Sequence, residues 1–381
     1  MNALLEDILV LDFSQFLSGP SASLRLADMG ARVIKIERPD TGDICRHLYV
    51  SDVRIYDGES TIFHAINRNK ESFSADLKDP VSLATVKELI TKAQVMIHNF
   101  RPGVMERIGL DYDRVKAINP DIVYAEVSGY GQEGEWSRLP GQDLLTQAIS
   151  GITYLSGCAD QPPVPMGVAV ADIIAGTHLV QGILAALFQK MSTGEGALIQ
   201  VSMLESLLDF QFEVLTCFLN DGNELPERSA INGAHAYIAA PYGIYKTTDG
   251  YIAIAMCPVT TLGDLMKVAS LRKYTNPDHW FDKRDEIKSI LKEAFEQRPT
   301  AEWLAVLEPA DIWCANVYDY NDLLASEGYK LLQMEQWVVS NHHRIKTTRC
   351  PVRVDGKRLV SEKGAPLLGE HNKKITEEFE L

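Results

Sequence analysis

The strongest constraint on the fold is an alternation that repeats near the N-terminus. Ile8-Leu9-Val10-Leu11 is a short continuous apolar run rich in branched residues, bounded by Asp7 and by a loop ending in Gly19-Pro20. A run of that length and texture reads as a strand buried on both faces. Ser21 can cap a helix through Leu24, Leu26 and Met29 that stops at Gly30, and Val33-Ile34-Lys35-Ile36 follows as a second strand. Two strands joined by a helix make a crossover and hence a parallel sheet. The unit recurs: residues 80–93 read as helix, Val95-Met96-Ile97 as strand, 112–118 as a short helix and 122–127 as another strand. The first half is expected to be a doubly wound α/β domain.

From Gly141 the texture changes to long helices over roughly 143–151, 172–190 and 202–220. A hairpin signal follows, with 243–246 and 251–255 flanking Thr247-Thr248-Asp249-Gly250, whose Asp-Gly suits a tight turn with positive φ. Amphipathic helices at 284–297 and 300–307 and a strand at 312–317 complete a second, smaller α+β domain over 225–325. A length of 381 residues allows about two such domains.

Charge narrows the partners. Lys and Arg number 37 and Asp and Glu 52, a net charge of −15 that repels nucleic-acid phosphates in bulk. Six cysteines (Cys45, Cys158, Cys217, Cys257, Cys314, Cys350) form no CxxC or Cys/His pairing, which argues for reduced thiols in a cytoplasm and against a zinc site. The N-terminal MNALLEDILVLDF lacks the basic region and cleavage site of a secretory signal. The apolar run 168–188 carries Asp172, His178 and Gln181, so a buried helix is expected there rather than a membrane span.

Several residues carry chemistry. Glu37, closing the second strand, invites a dinucleotide site, but the first turn reads SQFLSGPS without GxGxxG spacing. Arg38 directly after the acid suits a phosphate ester better than a ribose diol; otherwise it is a solvated strand end. Arg38 and Arg46 follow strand two, Asn99-Phe100-Arg101 and Arg107 follow the strand at 95–97, and Lys78 follows the extended stretch 73–77. Together they make a local basic rim where open α/β sheets bind ligands. Asp172 opens an apolar helix, either as its N-cap or as a carboxylate nucleophile kept ionised by the helix dipole. Asp143, in Gly141-Gln142-Asp143, shares that ambiguity. Nothing matches GxSxG, HExxH or a P-loop, and His342-His343 reads as solvated.

The chain resembles the family III CoA-transferases, the CaiB/BaiF family, in VLDFSQFLSGPSASLRLADMGARVIKIERP, NFRPGVMERIGL, INPDIVYAEVSGYG, the GQD and VADIIAG segments, ILAALFQKMSTGEGALIQVSM and the closing APLLGEH. The likeness is dense over residues 6–210, thinner through PYGIYKTTDGYIAIAM, and returns at the C-terminus. It implies a Rossmann-like parallel-sheet large domain from 1–205 and 330–381, a small domain at 225–325 with linkers at 206–224 and 326–329, and an interlocked homodimer. It also implies transfer of CoA from an acyl-CoA thioester to a free carboxylic acid through an aspartyl anhydride and an aspartyl-CoA thioester on Asp172. No cofactor is held permanently; the CoA thioester is substrate. The implied CoA contacts are Phe16, Leu17 and Ser18, Arg38, Ala75 and Lys78, Asn99, Phe100 and Arg101, and Arg107; Gln142 and Asp143 are separate candidates for the acyl pocket.

Two departures bear on chemistry. Leu17 stands where some members carry glutamine, which leaves only backbone contact at that position. Gln142 stands where the 2-methylacyl-CoA racemases carry the histidine of GHD, and an amide exchanges no proton near neutral pH. A racemase-like isomerase, a nucleotide-binding oxidoreductase and a non-catalytic CoA-binding protein are the alternatives.

Overall fold

The branched apolar runs line up in a six-stranded sheet in which every neighbouring pair is parallel. The computed structural model describes residues 4–48 and 55–381. Its strands are β1 (Leu9–Asp12), β2 (Arg32–Glu37), β3 (Glu71–Ser74), β4 (Val95–His98), β5 (Val123–Ser128) and β6 (Ala197–Ser202), in the order β3-β2-β1-β4-β5-β6. The order reverses between β1 and β4, the switch point at which open α/β sheets leave a crevice at the strands' carboxyl ends.

The pleat sorts the two faces. Leu9, Leu11 and Phe13 join Ile34, Ile36, Phe73 and Met96 in a core closed by Val86, Leu89 and Ile90 of helix α2 (Pro80–Lys92) and by Ile375 near the C-terminus. The opposite face lies under α1 (Ser18–Asp28) and the 24-residue α6 (Val170–Thr193). By length and composition α6 could cross a bilayer; in the fold one side of it packs on α1, β5, β6 and the helix Met203–Phe210. Between α2 and α6 lie α3 (Val104–Ile108), α4 (Tyr112–Ile118) and α5 (Asp143–Ser150).

The chain divides into two compact units, Met1–Thr146 with Ala169–Phe210 and Leu331–Leu381, and Gln147–Val168 with Gln211–Lys330. Residues 147–168, expected in the first domain, group with the second unit. That unit is built on an antiparallel sheet of β7 (Gly243–Lys246), β8 (Tyr251–Ile254) and β9 (Cys314–Asn316) in the order β9-β8-β7. Tyr245, Ile252 and Ile254 meet Leu262, Ile287, Leu291 and Trp303 in its core.

Several elements differ from the sequence reading. α1 begins at Ser18, three residues before the expected cap, and the Ser21 hydroxyl donates to the Ser18 carbonyl inside the helix. Strand β6 was not expected; only partly buried for most of its length, it lacks the continuous apolar texture of a central strand. The helix expected over 202–220 is two, Met203–Phe210 and Phe212–Asn220, interrupted at Gln211. The turn 247–250 closes without positive φ at Asp249 or Gly250, because the Thr247 and Asp249 side chains bond to each other and to Thr300.

Candidate active site

The loop after β1 lies at the switch point, and the charges beneath it fix its shape. β1 and β2 pair Asp12 with Lys35 side by side on the face under α1. The Asp12 carboxylate accepts from the Ser14 N–H (3.0 Å), the Ser14 hydroxyl, the Ser23 hydroxyl and Lys70 (3.0 Å). Burial opposes the ionised carboxyl, and Lys70 and Lys35 overcome that penalty, so its pKa falls well below the usual range. Lys35 donates to the Ser14 carbonyl (2.7 Å) and pairs with Asp43 at 2.8 Å; Asp43 in turn accepts the Phe16 N–H at 3.2 Å. Asn99, just past β4, grips Gln15 on both sides, accepting its N–H at 2.8 Å and donating to its carbonyl at 2.7 Å. Phe16 takes φ of +62°, strained for a side chain, and projects half-exposed from the loop.

This loop delivers Ser18 to Asp172. Asp172, Ala175 and Gly176 share one face of α6 by helical spacing, and that face meets α1. A Cβ on Gly176 would fall 2.3 Å from Ser21 Oγ and 2.7 Å from the Ser18 carbonyl oxygen, so only glycine lets the helices approach this closely. Ser18 of α1 faces the Asp172 carboxylate, its hydroxyl and N–H favouring the ionised form.

Asp172 is not an N-cap. α6 starts at Val170 after Ala169, whose side chain caps nothing, and Asp172 is its third residue. The capping acceptor is Asp143, whose Oδ2 takes the N–H of Ala171 at 2.8 Å and of Asp172 itself at 3.3 Å. Burial and then the Asp143 charge push the Asp172 carboxyl up to about 6, against the opposing influence of Ser18. At neutral pH the ionised form still predominates.

The expected CoA contacts fall after four adjacent strands. Along the sheet edge come Lys78 after β3, Arg38 after β2, Phe16, Leu17 and Ser18 after β1, and Asn99, Phe100 and Arg101 after β4, with Arg107 on α3. Four strands at about 4.8 Å spacing span about 14 Å. Arg38, Lys78, Arg101 and Arg107 are exposed, and among the described residues none of them pairs with a carboxylate. Ala75 is buried, its N–H donated to the Glu37 carbonyl at 2.8 Å. Arg46 does not belong to this rim: it is buried, bound at 2.6 and 2.9 Å by Glu37 and paired with Glu59, and its guanidinium lies 3.9 Å above the Phe63 ring. The same pairing, with the Ser72 hydroxyl at 2.6 Å, occupies Glu37, the acid that a ribose would need. Gln142 is exposed and its carbonyl closes the first turn of α5 on Thr146.

A cavity of about 370 Å³ lies beside this edge, lined by His98, Phe100, Arg101, Tyr112, Glu126 and Gln200 among others. Its floor is a satisfied carboxylate, Glu126, held by Gln132, Gln200 and His98 at 2.7 to 3.2 Å. Phe100 and Arg101, expected as CoA contacts, line it; no sequence signal marked the rest, which come from three strands, two helices and the intervening loops. His343, read as solvated, lies 3.0 Å from Asp57.

The match to known proteins runs over nearly the whole chain. Residues 5–372 fit the model of CoA-transferase family III. The succinyl-CoA:glutarate CoA-transferase of Mus musculus is 32% identical, with 98% of this chain and 86% of the relative covered. The acetyl-CoA:oxalate CoA-transferase of Acetobacter aceti is 33% identical over 98% and 95%. Among solved structures, a CaiB/BaiF family protein from Brucella suis superposes with a TM-score of 0.86 at 28% identity, covering all of both chains.

Proposed function

The chain belongs to CoA-transferase family III, and from that premise we propose that Asp172 is the nucleophile through which it moves CoA between carboxylic acids. An Asp172 carboxylate oxygen attacks the thioester carbonyl of an acyl-CoA, the C–S bond breaks, and CoA leaves as a thiolate. The resulting aspartyl–acyl anhydride keeps the acyl group activated. The thiolate then attacks the aspartyl carbonyl, releasing the first acid as a carboxylate and leaving CoA as a thioester on Asp172. An incoming carboxylate reverses the two steps, and no proton is gained or lost. The carrying observation is a half-buried carboxylate in the first turn of α6, on the face that meets α1, with its own N–H capped by Asp143.

The rim supplies binding. Arg38, Lys78, Arg101 and Arg107, lacking carboxylate partners among the described residues, suit the phosphates of CoA, and Leu17 offers only its backbone. Relatives named for succinate, glutarate and oxalate make short dicarboxylates the first acids to try. Incubation with acyl-CoA and then hydroxylamine or borohydride should modify Asp172, and Asp172→Ala should abolish exchange; full exchange in that variant overturns the assignment.

The working unit is a pair of chains. Phe188 and Met191 on α6 are 77% and 85% exposed, and Phe212 and Leu219 are 68% and 61% exposed, apolar surface suited to a second copy. Sedimentation at the mass of one 42.4 kDa chain would exclude this.

A further inference from the structure

We propose that Asp143 is a positioning residue for Asp172, its carboxylate serving as the missing cap of α6 at the nucleophile's own N–H and setting a second negative charge beside the reacting one. The inference rests on the assignment of Asp172 as nucleophile. Helices ordinarily cap themselves with the side chain of the residue before the first turn, and Ala169 cannot do so. One oxygen of Asp143 does it from another helix, across 2.8 and 3.3 Å. Asp143 is itself well fixed. Two residues before it, Gly141 lies against Gly129 so closely that a Cβ on either would fall 2.5 to 2.6 Å from the other's Cα. The Gln142 carbonyl then accepts from the Thr146 N–H and hydroxyl at 3.0 and 3.1 Å, closing the first turn of α5.

Capping alone needs no charge, since asparagine and serine accept the same bonds. An acid here costs repulsion with Asp172, and the reaction relieves that repulsion. As the anhydride forms, negative charge leaves Asp172 for the departing thiolate, so the interaction with Asp143 is weaker in the transition state than before it. Burial and the Asp143 charge both raise the Asp172 carboxyl. From α1 the groups facing it are the Ser18 hydroxyl and N–H, which act in the opposite sense. Beneath α1, Asp12 is paired with Lys70, and the next titratable group along α6, His178, is paired with Asp209 at 3.2 Å.

The test is the pH profile of kcat/KM in Asp143→Asn and Asp143→Ser, the two neutral capping residues, with Asp172→Ala as control. Loss of the charge should move the acid limb, set near pH 6 by Asp172, to lower pH by about one unit and lower kcat at pH 7.5 by about tenfold, with little change in KM. An acid limb and kcat equal to those of the parent in either neutral variant would reduce Asp143 to a simple cap. If Asp172→Ala exchanges CoA at the parental rate, the nucleophile assignment fails instead; if that control is inactive while the neutral variants match the parent, only the role of Asp143 fails.

Discussion

Two aspartates of the same unit, buried Asp12 and half-buried Asp172, sit in opposite electrical settings. Asp12 lies at the end of β1 with Lys70 and Lys35 against it and four donors on its oxygens, and its pKa is driven down. Asp172 lies in the first turn of α6 with another acid beside it and, among the described residues, Ser18 in support, and its pKa is driven up to about 6. Both are carboxylates near the same loop. The first is satisfied and therefore builds; the second is left partly unsatisfied and is therefore available to react. The cations divide in the same way. Lys35, Arg46 and Lys70 are buried and paired, whereas Arg38, Lys78, Arg101 and Arg107 stand exposed on the sheet edge without carboxylates among the described residues.

Substitutions can break this contrast. The largest loss of stability is expected from Asp12→Ala, which strands Lys70 and Lys35 without their shared counter-charge: about 3–5 kcal/mol by urea unfolding. The Asp12 contribution is present above the ordinary aspartate pKa and fades as pH falls through it, because the folded state holds the carboxyl ionised. Asp172→Asn should do the reverse, ending exchange while stabilising the fold by about 1–2 kcal/mol at pH 7. The sign follows from linkage. With its pKa raised from 3.8 to about 6, folded Asp172 binds more protons than unfolded Asp172 between those values, so stability falls as pH rises through that window and stays lower above it. Removing the carboxyl should flatten that fall, and an Asp172→Asn protein less stable than its parent would show that the two aspartates do not differ as described. The smallest structural effect belongs to Arg38→Ala, within about 0.5 kcal/mol in unfolding, since no ion pair is lost. Its KM for acyl-CoA should nevertheless rise about tenfold, the value of one charge-assisted contact to phosphate. An unchanged KM would remove Arg38 from the CoA site.

Much of this was legible in the chain. The four central strands and the helices at 80–92, 112–118 and 300–307 follow from branched apolar runs and from caps that act within a few residues, such as Asp79 on Ser82. The edge strand β6 escaped because partial burial leaves a mixed pattern. Arg46 was read as part of the rim since nothing local reveals that Glu59 and the Phe63 ring enclose it. Asp172 looked like a cap because the usual capping partner is a near neighbour in sequence, and here the cap comes from Asp143, 29 residues away.

Sequence by itself determined the central strands of the sheet, the family and the residues that carry charge to its edge, because periodicity, turn chemistry and motif order are local properties of the chain. Tertiary structure alone decided which charges are neutralised. The pKa of a carboxylate and the freedom of a guanidinium depend on what folding places within a few ångströms of them, and Asp12 with Lys70, Arg46 with Glu59 and Asp172 with Asp143 are each brought together from separate segments of the chain.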